Sequence, residues 1–170
     1  MDPIEELMNE HRVIEKVLDA LVAASDRDMP LDFYRKAVEF ITHFADGFHH
    51  AKEEGELFPM LEEKGIPRRM GPIGVMCEEH EVARAIVSRM RECIEAKDTG
   101  GLRSASLEYV ALLRSHIQKE DQVLFPMGRG CLSGNELENL RTRFDGTDQA
   151  RYEEYKRLGD ELAAQVGLPA

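Results

Sequence analysis

The stretch His49-His50-Ala51-Lys52-Glu53-Glu54-Gly55-Glu56-Leu57-Phe58-Pro59-Met60 has an echo 67 residues later, His116-Ile117-Gln118-Lys119-Glu120-Asp121-Gln122-Val123-Leu124-Phe125-Pro126-Met127. Both copies hold a His and a Glu four apart and end in Leu-Phe-Pro-Met. A second echo lies upstream of each. Met8-Asn9-Glu10-His11 resembles Cys77-Glu78-Glu79-His80 at an offset of 69. Each half of the chain is therefore a helix with one inward His, followed by a helix with a His-Glu pair. Such a repeat predicts an approximate two-fold axis that brings the two pairs face to face.

The flanking sequence reads as helix. Ile4, Leu7, His11, Ile14, Leu18 and Leu21 recur at steps of three and four, the seam of a helix packed in a bundle. Asp2-Pro3 supplies a cap and a first helical residue. Asp26 to Pro30 breaks this segment. A second helix is expected from about Leu31 to Lys64, stopped by Gly65-Ile66-Pro67. A third carries Ile73, Met76, His80, Ala83, Val87, Met90 and Ile94, with a stop near Thr99-Gly100-Gly101. The fourth runs from Leu102 through Tyr109 and His116 to Met127, with Gly128-Arg129-Gly130 closing it. A more polar fifth segment covers Ser133 to Val166, with a break at Phe144-Asp145-Gly146. Long helices with short connections predict an all-α, up-down-up-down four-helix bundle. Residues 1–130 form that bundle, and 131–170 add a C-terminal helical extension. Tyr152, Tyr155, Leu158 and Leu162 give the extension an apolar face, suited to covering the bundle or to a homodimer contact.

The chain has 170 residues and a formal charge of −11. This length buries a real core. The acidic balance argues against sequence-independent nucleic-acid or anionic-membrane binding. No apolar run approaches the roughly 20 residues of a membrane span. Met1-Asp2-Pro3-Ile4-Glu5-Glu6 lacks the features of a secretory signal. Cys77, Cys93 and Cys131 are odd in number and scattered, which fits a reducing compartment. The cytoplasm is the expected location.

Polar residues on the apolar stripes carry the chemistry. A buried carboxylate must be protonated, paired or metal-bound. Residues four apart on a helix point the same way, so His49/Glu53 and His116/Glu120 each aim a nitrogen and an oxygen at one point. With His11 and His80 they make four imidazoles and two carboxylates, the donor inventory of a two-metal site. Imidazole with carboxylate suits iron, manganese or zinc, and not calcium or magnesium. Six protein ligands do not saturate two octahedral ions but suffice if both carboxylates bridge, and the remaining positions are expected to hold a bridging oxide or hydroxide and exogenous ligands.

His11, His49-x-x-x-Glu53, His80 and His116-x-x-x-Glu120, each pair followed by Leu-Phe-Pro, resemble the hemerythrin-like cation-binding (HHE) domain over roughly Ile4 to Met127. The resemblance implies two non-haem irons, ligated by the four His residues and bridged by Glu53 and Glu120. Oxygen-carrying members have a fifth His on the third helix, four residues from the other. Here Met76 and Arg84 hold those places. That departure implies an open position on each iron and favours binding and reduction of oxygen, peroxide or nitric oxide. Alternatives are sensing or storage without turnover, iron–sulfur cluster repair, and a metal-free bundle. No flavin or phosphate-loop fingerprint appears, so electrons come from a separate redox partner.

Alignment on Leu-Phe-Pro sets the register. It places His50 and Glu54 about 100° round the helix from the site, in a solvated or interhelical position. In the alternative register they replace His49 and Glu53 as ligands. Tyr109, two turns before His116, is either a hydrogen-bond donor to a bound ligand or a core aromatic satisfied locally. Arg84 is expected to pair with Glu10 or Glu79 or to guard the site. Glu10 and Glu79 are either exposed or accept a His Nδ1–H and fix its tautomer. Pro59 and Pro126 are expected to kink or end their helices and to pack the preceding Phe across the bundle end.

Overall fold

In the computed structural model, residues 2–145 and 149–169 are described. The described residues are helical or in turns, with no strand. Helix α1 spans Pro3–Ser25, and the Asp2 carboxylate accepts from the Ile4 N–H to cap it. The second rod is continuous but not uniform. It begins as α2 (Leu31–Phe40), widens into π-helix over Ile41–His50 and again over Glu53–Leu57, and finishes as α3 (Phe58–Glu63). Gly65 then turns the chain in the left-handed region, at φ +89°, a conformation glycine adopts without steric cost. Helix α4 (Pro72–Ala96) is followed by α5 (Thr99–Lys119), a π turn at Glu120–Leu124 and α6 (Phe125–Cys131). Helices α7 (Gly134–Asp145) and α8 (Gln149–Gln165) complete the chain.

Helix α4 ends at Ala96, close to the expected stop, but the glycines named at both expected stops lie inside helices. Thr99-Gly100-Gly101 opens α5, because the Asp98 carboxylate accepts from the Gly101 N–H and starts a helix there. Gly128-Arg129-Gly130 belongs to α6, which runs on to Cys131. A Cβ at Gly128 would lie 3.3 Å from Leu61 and 3.4 Å from Ile4. Close packing explains this glycine. The expected break at Phe144-Asp145-Gly146 falls partly on residues 146–148, outside the described residues.

Pro59 and Pro126 end nothing. Each sits in the first turn of the α-helical stretch after a π turn. The Phe58 N–H reaches the Glu53 carbonyl and the Phe125 N–H reaches the Glu120 carbonyl, five residues back. Proline removes one N–H and its ring crowds the carbonyl four residues earlier. The widened turn absorbs both defects.

Helix α1 packs on α5, and α4 packs on both α5 and α2. Helix α8 covers α1 and α2. Its crossing is close: a Cβ at Gly159 would lie 3.3 Å from Val17. The apolar core falls into two clusters. One contains Leu18, Phe40, Phe44, Met90, Leu113 and Leu162, and the other Leu7, Phe58, Met76, Leu124, Phe125 and Phe144. Between them, along every long rod, lies a layer of buried polar side chains.

Candidate metal centre

All six sequence-predicted residues meet in that layer. Helix α1 brings His11, the second rod His49 and Glu53, α4 His80, and α5 with its π turn His116 and Glu120. Each is at most 1% exposed. Their donor atoms form two groups, within each of which every atom lies within 4.8 Å of the others. One group is His11, His49, Glu53 and Glu120, and the other is His50, Glu53, His80 and His116. Glu53 reaches towards both: Oε1 is 3.4 Å from His49 Nε2, and Oε2 is 3.5 Å from His80 Nε2. Glu120 Oε2 lies 3.2 Å from both His11 Nε2 and His116 Nε2.

His50 corrects the expected register. It is 2% exposed and stacks on His80 with ring centroids 3.8 Å apart. Its reading as a side chain turned away from the site assumed α-helical rotation. The rod is π-helical over Ile41–His50, and a π turn holds one more residue than an α turn. Successive side chains therefore diverge less, and His49 and His50 both face inward. Glu54 does not replace Glu53; its Oε1 accepts from His80 Nδ1 at 2.6 Å.

The other anchors follow the internal repeat. His11 Nδ1 is held by Asp121 at 2.7 Å, as His80 is by Glu54. His49 Nδ1 is held by Glu10 at 2.9 Å, and His116 Nδ1 by Glu79 at 2.8 Å. Lys52 binds Glu10, and Lys119 binds Glu79. Phe125 stacks on His11 and Phe58 on His80, so each Phe covers the single His of the other half. Glu10 is buried and serves the rod opposite. Arg84 pairs with Asp46, Glu54 and Glu81, and not with Glu10 or Glu79. Its nearest carboxylates come from the second rod and from its own helix. Lys52, 3% exposed, lies 2.6 Å from Glu6 and 2.5 Å from Glu10, with its ammonium over Phe48 and Phe144. Sequence reading missed Lys52, Asp121 and Asp46. Their positions beside the His-Glu pairs were one signal, and the repeat that matches Lys52 with Lys119 and Asp121 with Glu54 was another. Tyr109 is buried, and its hydroxyl takes no hydrogen bond from the described residues.

Anchoring each Nδ1–H on a carboxylate leaves the Nε2 lone pairs facing inward. His80 Nε2 and His116 Nε2 are 3.1 Å apart. Two lone pairs at that distance repel unless a proton or cation lies between them. Among the described residues, eight buried side-chain atoms have no hydrogen-bond partner: His11 Nε2, His49 Nε2, both His50 nitrogens and all four oxygens of Glu53 and Glu120. Several are close to another polar atom, but none is aligned for a hydrogen bond. Orphaned buried polar atoms are costly, and all eight belong to these two groups. Nitrogen and carboxylate donors converging in a dry layer fit divalent transition-metal cations.

Electrostatics agrees. Burial holds His49 and His50 well below the ordinary imidazole range, with His11 and His80 adding to it. Burial, and then Glu120, push Glu53 well above the usual carboxylate range. Burial acts the same way on Glu120, but His116 and His11 outweigh it and hold Glu120 low. Burial opposes His116, yet Glu120 and Glu79 raise it to about 9. Opposed shifts on neighbouring buried carboxylates mark a donor cluster whose charges the protein itself does not balance.

Fold and site together define a helical protein built around a buried imidazole–carboxylate layer for metal cations. Residues 2–128 match the family model described as the hemerythrin HHE cation binding domain. The chain belongs to that family. Proteins named only as uncharacterized, from Mycobacterium tuberculosis and Mycobacterium bovis, are 24% identical over 174 aligned positions, covering 94% of this chain and 67% of theirs. No solved structure is detectably similar.

Proposed function

We propose that this chain is a non-haem di-iron protein that binds and reduces a small molecule of the oxygen, peroxide or nitric oxide class. His11, His49, Glu53 and Glu120 would hold one iron, and His50, Glu53, His80 and His116 would hold the other. The observation that carries this reading is the set of eight unpartnered buried atoms confined to those residues. When bound, iron supplies electrons and a coordination position for the ligand. The protein's own part is orientation and exclusion. Asp121, Glu10, Glu54 and Glu79 fix the tautomers of four ligands, Phe58 and Phe125 wall the layer, and the apolar clusters on either side keep out bulk water. The departure expected for the fifth imidazole is made good from the second rod, by His50.

The reading extends to the scaffold. The four long rods run up-down-up-down over residues 1–130, and 131–170 form the packed extension. Three free cysteines, with no described helix long and apolar enough to cross a membrane, support a reducing, cytoplasmic setting. Metal analysis and a near-ultraviolet spectrum after anaerobic purification test the proposal. About two irons per chain are expected. Chain that folds but takes up no iron, alone or on reconstitution, overturns it. Multiple turnovers with peroxide or nitric oxide under a supplied reductant separate reduction from binding alone.

A further inference from the structure

The internal repeat is hollowed on one side. A cavity of about 130 Å³ lies between the second rod and α4, with Tyr109 from α5 among its lining residues. Of the five imidazoles in the polar layer, His50 alone lines it. The repeat offsets identify the matching place in the other half, and there the side chains are aliphatic and buried. Ala83 and Val87 of the cavity correspond to Ile14 and Leu18, while Asp46 and His50 correspond to Leu113 and Ile117. Those four counterparts are at most 2% exposed. Arg91 corresponds to Val22. Smaller side chains and polar groups have replaced packed aliphatic ones on one side only.

The lining is rich in donors. Arg91 donates to Thr42 Oγ1 at 2.5 Å and has no carboxylate partner among the described residues. Arg84 is matched by Asp46 at 2.8 Å, so Arg91 leaves the lining with a net positive charge in a chain of −11. The Tyr109 hydroxyl takes no hydrogen bond from the described residues, whereas the Thr42 hydroxyl already donates to the Val38 carbonyl at 2.7 Å.

We propose that this cavity is a binding site for a small monoanion, held by the Arg91 guanidinium, which Thr42 orients, and by the Tyr109 hydroxyl, beside His50. A space of about 130 Å³ admits an anion of a few heavy atoms with room for water beside it. The cavity adjoins the metal layer through His50, but Arg91 and Tyr109 belong to neither donor group, so anion binding does not depend on the metal.

Azide is the probe. It is titrated into the full chain, as purified and again after chelation, while backbone amide shifts are followed. Saturable shifts are expected at Thr42, Ala83, Val87 and Arg91, with none at Ile14, Leu18, Leu113 and Ile117. R91V installs the other half's residue and should weaken binding about tenfold, the loss of one charge-assisted hydrogen bond. R103V, on the exposed face of α5, should not. A83I fills the space and should abolish the shifts; if it fails to fold, R91V still decides. Shifts that vanish with the metal, survive R91V or appear equally in both halves overturn the proposal.

Discussion

Replacing Lys52 by methionine tests how the layer is held in place. The ammonium is 3% exposed and bridges Glu6 and Glu10 at 2.6 and 2.5 Å. Glu6 is partly exposed and can turn to water. Glu10, 1% exposed, cannot. Burial already raises its pKa, and Lys52 is the chief influence opposing that rise. Methionine keeps the stem against Phe48 and Phe144 but leaves Glu10 uncompensated. Breaking one side of a buried pair costs about 3–5 kcal/mol, and about 3 kcal/mol lowers the melting temperature of a chain this size by roughly 6–12 °C. Glu10 also anchors His49 Nδ1, so metal affinity should fall about 10–100-fold. Calorimetry of metal-free protein measures the first effect and chelator competition the second. The double variant K52M/E10Q separates them: stability should return, because no charge is stranded, while metal affinity should not. If K52M melts within about 1 °C of the parent and holds metal as tightly, Lys52 does not position this site.

His50→Ile places the other half's residue in the first half, and metal per chain should fall towards half on elemental analysis while helicity by circular dichroism stays unchanged; undiminished metal refutes the assignment of His50. Gly159→Val should cost about 1–3 kcal/mol by overpacking and speed proteolysis after α7, since Val17 lies 3.3 Å from the added Cβ; unchanged melting and proteolysis count against close α1–α8 packing. The Lys64 ammonium, then Ser133, hold the Glu136 carboxyl down at about 2. A lowered folded-state value means that this contribution is complete above the ordinary carboxylate value and is lost as pH falls through 2. Carbon-detected titration should give that midpoint, and Lys64→Met should move it up towards the ordinary range.

The sequence carried the scaffold because spacing alone encodes it. Steps of three and four gave the helices, and the paired His-x-x-x-Glu repeats placed His11, His49, Glu53, His80, His116 and Glu120 in one layer. What escaped depended on winding and on facing. His50 was misplaced because α-helical rotation was carried through a π-helical stretch. Glu10 and Glu79 were legible as anchors in kind but not in target, since each serves a rod other than its own. Gly100-Gly101 lie just past the stop they suggested, in a helix that the Asp98 cap starts, whereas Gly128 is explained only by its packing on Leu61 and Ile4.

The crosswise anchoring has a consequence for taking the molecule apart. His11 takes its orientation from Asp121 and its cover from Phe125, while His80 relies on Glu54 and Phe58. Neither repeat, severed from its mate, retains the groups that aim its lone imidazole. Selectivity for cations thus arises only when both copies have docked, and metal uptake reports on completed assembly.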